Sequence, residues 1–296
     1  MFSRRLLLEA LCAGAASVST GSCIALADAR NFASDWSEAT HSAIRLLAGA
    51  QESGAALMAG IEFRLRQGFK TYWRDPGDSG VPPTFDWSGS DNAASIDVLW
   101  PVPQRFEDGG GFSIGYLGSL LLPVKATPKD PARPVRLDLR LDYAICEKMC
   151  IPAQGSAALT LASGASSKSS PHAKRIADAV ALVPARRSQN AGDPTGASIS
   201  AVELMDGPKP VLRVDAWAPR DAAALDLFVE GPKGSYFGRP SIEYPADSRR
   251  GMFVQVRFLA PIEERAKTSP WPLLLTLVVD GAGTEFEASI ATPAAR

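Results

Sequence analysis

The sequence has few histidines, few cysteines, little net charge and, after its N-terminal segment, no long apolar run. Its 296 residues include only two histidines, His41 and His172, which weakens any mechanism built on a histidine base or a histidine-rich metal site. The formal net charge of −1 gives no electrostatic case for a nucleic-acid partner. The longest later apolar run, 271–279, is interrupted by Pro272 and Thr276 and is far shorter than the ~20 residues that span a bilayer. We therefore expect no nucleic-acid partner and no transmembrane segment in the mature chain.

The N-terminus has the pattern of an export signal. A short basic start precedes an apolar stretch, 6–16, and small residues follow it. An A-x-A site ends at Ala27, so we predict cleavage after Ala27 or Ala29 and assign residues 1–29 to a signal peptide. An uncleaved membrane anchor is the alternative. The pattern predicts an exported, periplasmic protein.

Cleavage would leave the chain with only one pair of cysteines. The full sequence contains Cys12, Cys23, Cys146 and Cys150. Cys23 is a candidate attachment site for a lipid anchor, but Thr20 stands three places before it, where lipoprotein signals usually have an aliphatic residue. We therefore expect Cys23 to be removed with the signal peptide. In an oxidising compartment the remaining Cys146 and Cys150 can pair only with each other or with another molecule.

The clearest strand pattern in the chain leads directly into this pair. Apolar residues alternate with charged ones at Val135, Leu137, Leu139, Leu141 and Tyr143. Other short strand-like segments are separated by turn residues, without helical patterns between them, and the chain contains 25 glycines and 23 prolines. This combination predicts an all-β protein built as antiparallel sandwiches.

Changes in composition divide the chain. We predict a first β-sandwich at 30–163, a linker with a short helix at 164–197, and a second β-sandwich at 198–296. Ser170 and Pro171 could begin the helix, which would end before Pro184. The strands predicted for the second half are Ile199–Met205, Val211–Ala216, Ala224–Val229, Phe253–Phe258, Leu273–Val279 and Glu285–Ile290.

The spacing of Cys146 and Cys150 leaves three interpretations open. A structural disulfide would close a loop of about five residues and stabilise the fold by only roughly 2 kcal/mol, and a domain of this size can bury its own core without it. A redox-active pair needs an accessible thiolate and a second cysteine to resolve the mixed disulfide. With Met149 the pair also forms a set of soft donors suited to Cu(I).

The motifs around this pair resemble a known family. The cysteine motif Tyr143-x-x-Cys146-x-x-x-Cys150-x-Pro152, together with an upstream segment 72–80 that reads YWRDPGDSG, resembles the N-terminal periplasmic domain of the thiol:disulfide interchange protein DsbD. The similarity covers roughly residues 40–163, and the sequence looks closer to the branch related to the suppressor-of-copper-sensitivity protein ScsB.

The resemblance implies an immunoglobulin-like fold and an electron relay. In this family a thioredoxin-like domain reduces the pair, which then reduces periplasmic isomerases. The resemblance therefore implies a protein-disulfide reductase activity that needs no cofactor. The resemblance assigns the mixed disulfide to Cys150 and its resolution to Cys146. Because the sequence contains neither the membrane-embedded electron carrier nor the thioredoxin-like domain of the family, we expect both to be separate partners.

The resemblance also implies a cap loop that shields the cysteines. The segment from Glu107 and Asp108 to Phe112 lies in the corresponding place, with Phe112 as the shielding aromatic residue. We expect further supporting or partner-binding residues at Tyr72, Trp73, Arg74, Asp78 and Tyr116. Their alternative is structural, with the aromatic rings in the sandwich core and Arg74 paired with Asp78 to hold the loop.

Overall fold

The computed structural model describes residues 32–51, 56–108, 111–162, 170–188, 196–246, 249–267 and 269–291. The predicted signal peptide, with Cys12 and Cys23, lies outside the described residues, as do residues 163–169 of the serine-rich segment.

The first half of the chain forms two facing antiparallel sheets. Its strands are β1 (Ser37–Ala39), β2 (Ser42–Gln51), β3 (Leu57–Leu65), β4 (Lys70–Tyr72), β5 (Thr84–Asp86), β6 (Ala93–Val98), β7 (Gln104–Asp108), β8 (Gly111–Leu117), β9 (Leu120–Pro128), β10 (Val135–Cys146) and β11 (Cys150–Leu161). One sheet has the order β1-β2-β3-β9-β6, and the other has the order β11-β10-β4-β8-β7, with β5 also paired to β10.

The core of this sandwich follows the alternation seen in the sequence. The five alternating apolar residues of β10, from Val135 to Tyr143, are buried between the sheets at 0–4% exposure, while Arg136 and Arg140 between them are exposed. Burying large aliphatic side chains stabilises the fold by about 1.5–3 kcal/mol each, which fixes the register of β10. The predicted strand is confirmed, and it continues to Cys146.

A short helix and a strand follow the first sandwich. Helix α1 (Ala173–Val180) packs on the outer face of the first sheet, where Ile176 lies against Leu47 and Met58. Ser170 precedes the helix, and its hydroxyl accepts a hydrogen bond from the backbone N–H of His172 at 3.0 Å. Strand β12 (Ala185–Ser188) then pairs in parallel with a strand of the second half.

The second half repeats the architecture. Its strands are β13 (Ser198–Met205), β14 (Val211–Pro219), β15 (Leu225–Glu230), β16 (Tyr236–Phe237), β17 (Ser241–Glu243), β18 (Arg249–Arg250), β19 (Phe253–Glu264), β20 (Trp271–Val279) and β21 (Ala282–Ile290). The two sheets have the orders β12-β21-β20-β15 and β13-β14-β19-β16, with β17 and β18 also on β19. The predicted all-β fold is confirmed, and α1 is the one helix among the described residues.

The two sandwiches are packed against each other within one compact unit, 31–296. Phe228 and Val278 of the second half join the core of the first sandwich, and the Phe228 ring lies 5.6 Å from that of Trp73. Arg74 crosses the junction to Glu230 and Glu285. Apolar and ionic contacts therefore both hold the sandwiches together.

Candidate redox site

Cys146 and Cys150 close a hairpin. They end β10 and begin β11, are joined by the turn 147–149, and lie directly opposite each other. Pro152, two residues further on, lies opposite Ala144 and has no N–H to donate, so Ala144 and Pro152 form a non-hydrogen-bonded pair of the ladder. Hydrogen-bonded and non-hydrogen-bonded pairs alternate along an antiparallel ladder, so Cys146 and Cys150, two residues away, form a non-hydrogen-bonded pair as well. Side chains at such positions approach each other closely, and the fold therefore brings the two thiols together.

The two cysteines are free thiols in contact, but their exposure to solvent differs. Sγ of Cys150 lies 2.8 Å from Sγ of Cys146. Cys146 is buried, at 6% exposure, whereas Cys150 is exposed. This arrangement allows the pair to close into a disulfide, with one sulfur open to attack from outside and the other protected.

Tyr72 provides the closest polar contact to the exposed thiol. Its hydroxyl lies 2.9 Å from Sγ of Cys150, and the side chain is 1% exposed. Burial, together with hydrogen bonds to both cysteines, raises the pKa of Tyr72 far above its ordinary value, so the hydroxyl keeps its proton. It can therefore donate a hydrogen bond to a thiolate on Cys150. Strand β4 is held on β10 by a hydrogen bond from the Thr71 hydroxyl to the carbonyl of Ala144, at 2.9 Å.

Lys70 lies opposite the buried thiol. The register of β4 on β10 pairs Lys70 with Cys146, and Lys70 is 6% exposed. Its ammonium contacts both carboxylate oxygens of Asp108, at 2.5 and 2.6 Å, and lies 5.1 Å from the centre of the Phe106 ring. A buried cation beside the pair is therefore compensated by a single carboxylate from β7.

Burial is the largest influence on the pKa of the Cys146 thiol and raises it above the ordinary value. The contact with Cys150 raises this pKa further, while the Tyr72 hydroxyl and the Lys70 charge act in the opposite direction. The native reduced protein therefore keeps Cys146 protonated at a pH where an unfolded chain would already lose that proton.

We expect the stability of the reduced protein to fall at alkaline pH because of this shift. The native state binds the Cys146 proton more tightly than the unfolded state, so its contribution is complete below the ordinary thiol pKa of about 8.5 and is lost as the pH rises through the native value. Urea unfolding of the reduced protein should show a larger loss between about pH 7.5 and pH 10 than unfolding of reduced Cys146→Ser. Equal losses in the two proteins would contradict this assignment.

Two of the predicted cap and supporting residues lie near the cysteines. Tyr72 contacts Cys150 directly, and Asp108 contacts Lys70, which pairs with Cys146. Phe112 does not lie over the cysteines. It is five positions along β8 from Leu117, the residue that pairs with Lys70, so its side chain points to the opposite face of the sheet from Lys70 and Cys146. Its ring is buried in the core under the guanidinium of Arg105, at 4.6 Å.

Trp73 and Tyr116 occupy the core as well. Trp73 is 1% exposed, and the hydroxyl of Tyr116 donates to the carbonyl of Pro101 at 2.7 Å. Glu107, in contrast, is exposed and forms an ion pair with Arg239 of the second sandwich. None of these contacts involves the cysteines.

The alternative suggested for Arg74 and Asp78, an ion pair between them, is wrong. Arg74 binds Glu230 through two hydrogen bonds, at 2.6 and 2.9 Å, and also binds Glu285 at 2.5 Å. Asp78 instead accepts the backbone N–H of Phe112 at 2.9 Å. The segment 72–80 therefore has two structural roles: Arg74 joins the two sandwiches, and Asp78 binds the backbone of β8.

Lys70 and Phe106 lie at the site but were not predicted from the sequence to belong to it. Lys70 precedes an aromatic stretch, and its position opposite Cys146 depends on a pairing between strands distant in the chain. Phe106 lies on the same face of β7 as Asp108, two residues away. The alternation of β7 is the signal that could have identified it, because Phe106 and Asp108 share one phase and Glu107 has the other.

No group of three His, Cys, Asp or Glu side chains within the described ranges could hold a metal ion. Met149, the third member of the suggested Cu(I) set, lies in the hairpin turn and is 73% exposed. In the part of the chain that the structure describes, no helix has the length and apolar character needed to cross a membrane.

Part of the sequence and the overall fold are similar to those of known proteins. Residues 41–162 match the family model for the N-terminal domain of the thiol:disulfide interchange protein DsbD. The crystal structure of the N-terminal periplasmic domain of ScsB from Proteus mirabilis is 20% identical, with a TM-score of 0.67, and the match covers 89% of this chain and 100% of that one. The C-terminal domain of the Streptococcus pyogenes antigen I/II-family protein AspA is 9% identical over 83% of this chain and 95% of that one, with a TM-score of only 0.19. No curated protein sequence matches the chain.

Proposed function

Because residues 41–162 match the family model for the N-terminal domain of DsbD, we propose that this protein relays electrons between thioredoxin-like partners through Cys146 and Cys150. The observation that carries the proposal is the contact of an exposed thiol, Cys150, with a buried one, Cys146, at 2.8 Å. Such a pair can react with a large partner at one sulfur and close on itself with the other.

The chemistry needs two thiol–disulfide exchanges and no cofactor. A thiolate of the donor attacks Sγ of Cys150 in the oxidised pair, and the electrons of the broken S–S bond remain on Cys146 as a thiolate. The second thiol of the donor then attacks its own sulfur in the mixed disulfide and releases the reduced pair. Cys150 attacks the disulfide of the acceptor in the same manner, and Cys146 resolves that complex. The protein would thus be an electron-relay component of a protein-disulfide reductase system.

The proposed partners are periplasmic. The related ScsB domain is described as periplasmic, and the sequence begins with an export pattern, both of which support an exported location. We propose a separate membrane electron carrier as the source of electrons, passed on by a thioredoxin-like protein or domain.

Equilibration with glutathione buffers tests the proposed function. We expect a reduction potential above about −300 mV, because structural disulfides in secreted proteins have potentials below that value. We also expect the reduced protein to transfer electrons to an oxidised protein of the thioredoxin fold, while Cys146→Ala/Cys150→Ala transfers none. A lower potential together with no exchange with any thioredoxin-fold protein would refute the relay.

Copper handling is the competing assignment. It would use the sulfur atoms of Cys146, Met149 and Cys150, and the exposed thioether of Met149 in the turn favours it. Competition titration with Cu(I) distinguishes the two functions. Tight stoichiometric binding that Met149→Leu weakens would favour metal delivery over the relay.

A further inference from the structure

Strand β7 contacts two different parts of the molecule through its two faces. On one face, the guanidinium of Arg105 binds Asp226 and the carbonyl of Leu227, at 3.1–3.2 Å, and Glu107 pairs with Arg239. These partners all belong to the second sandwich. The strand is thereby tied to the second half of the protein at two of its residues, Arg105 and Glu107.

The opposite face of β7 contacts the redox site. Asp108 holds the Lys70 ammonium with both carboxylate oxygens, and the Phe106 ring lies beside it. The side chains of Lys70 and Asp108 are 8% and 23% exposed, so their interaction is only weakly screened by solvent. The side chain that neutralises Lys70 is therefore carried on a strand that pairs with β8 and is bound on its other face by the second sandwich.

The charge of Lys70 acts on the sulfur that becomes the leaving group. When a donor thiolate attacks Cys150, the S–S bond breaks and its electron pair leaves on Sγ of Cys146, opposite Lys70. In a buried site a nearby cation stabilises this thiolate. While Asp108 is bound to Lys70, its negative charge opposes that effect.

We propose that Lys70 is a positioning residue that stabilises the Cys146 thiolate, and that the second sandwich sets the strength of this effect by holding Asp108 against Lys70 through β7. The inference rests on the proposed exchange function and assigns a regulatory part to the second sandwich. A partner that draws β7 away from Lys70 would raise the reactivity of the pair at the moment of contact.

The other charged and titratable groups at Cys146 are few. Tyr72 faces it from β4 and Cys150 from β11, while Glu147 and Lys148 follow it in the exposed turn. None of these groups is changed in the experiment below, so the differences it measures report on Lys70 and on the strand that holds Asp108.

The test is the pH dependence of Cys146 alkylation by iodoacetamide, measured on the reduced full chain by mass spectrometry of the Cys146 peptide. A change in charge moves the pH midpoint of the reaction, whereas a change in access scales the rate at every pH. We expect Lys70→Met to raise the midpoint by about one pH unit, which means about tenfold less thiolate at any pH below the midpoint. Lys70→Arg should restore the wild-type midpoint. Asp108→Asn should lower the midpoint by about half a unit, a threefold gain.

The contribution of the second sandwich is tested with Asp226→Asn, which weakens the hold on Arg105. We expect the midpoint to move in the same direction as in Asp108→Asn. Asp206→Asn is the matched control, because Asp206 pairs with Arg265 on the exposed surface of the second sandwich and should leave the midpoint unchanged. Thermal unfolding of each variant checks that it is folded.

Two outcomes would overturn the proposal. One is a wild-type midpoint in folded Lys70→Met or Asp108→Asn, and the other is an Asp226→Asn midpoint equal to that of Asp206→Asn. Because iodoacetamide replaces the protein partner, these results do not depend on exchange with a thioredoxin-like protein. Failure of the relay would be seen only in the glutathione and partner assays.

Discussion

Cys146→Ser is expected to trap a mixed disulfide between Cys150 and a thioredoxin-like partner. The exposed Cys150 still reacts, but the thiol that would release the partner is missing. In Cys150→Ser the remaining thiol is 6% exposed, and a folded partner cannot readily approach it. Nearly all of the trapped complex should therefore form with Cys146→Ser.

Non-reducing gel electrophoresis after incubation with an oxidised thioredoxin-fold protein measures this difference. The double variant Cys146→Ser/Cys150→Ser is the control for complexes formed through other cysteines, and a reducing agent should dissolve every genuine complex. Reversed yields in the two single variants would exchange the assigned roles of the two cysteines while leaving disulfide exchange itself intact.

Arg74→Met is expected to destabilise the whole protein by about 3 kcal/mol, because it leaves the buried carboxylates of the junction short of a cation. Glu230 and Glu285 are 20% and 5% exposed, and Arg74 binds both. Arg186 also contacts Glu285, at 3.1 Å, but its side chain is 65% exposed, so it compensates for only part of the loss. Methionine keeps an apolar stem of similar length over the ring of Trp73.

Thermal unfolding gives the measurement. A loss of this size should lower Tm by about 6–10 °C in a protein of this length. The matched control is Arg64→Met, since the side chains of Arg64 and Glu38 are both more than half exposed and such pairs contribute under about 1 kcal/mol. A decrease in Tm no larger than that of the control would mean that the Arg74 cluster adds little to stability.

Most of the fold could be predicted from the sequence because it depends on the alternation of apolar and polar residues within each strand. The pattern of β10 predicted its inward and outward faces correctly. Five of the six strands predicted for the second half lie within an observed strand, and the sixth, Ala224–Val229, begins one residue before β15. The short strands β16, β17 and β18 were not predicted. With two or three residues each, they contain too little alternation to be recognised and are defined by pairing with β19.

The site was predictable only where its residues are close in sequence. Cys146 and Cys150 were identified from their spacing, and the hairpin explains it. The contact of Lys70 with Asp108 depends on how β4 and β7 are placed in one sheet, and that of Arg74 with Glu230 joins residues 156 positions apart. Local periodicity contains no information about such partners, which is why the only ion pair suggested for Arg74 was one with the nearby Asp78.

The segment expected to link the two sandwiches carries α1, which covers Leu47 and Met58, and β12, which completes the edge of the sheet that contains β21. A fragment that stopped at residue 163 would leave those two side chains uncovered, and one that started at 198 would expose a bare strand edge to other molecules. Shortening this protein for study, or transplanting its first half into another polypeptide, would therefore require a cut after α1 and before β12, in the few residues around Val183.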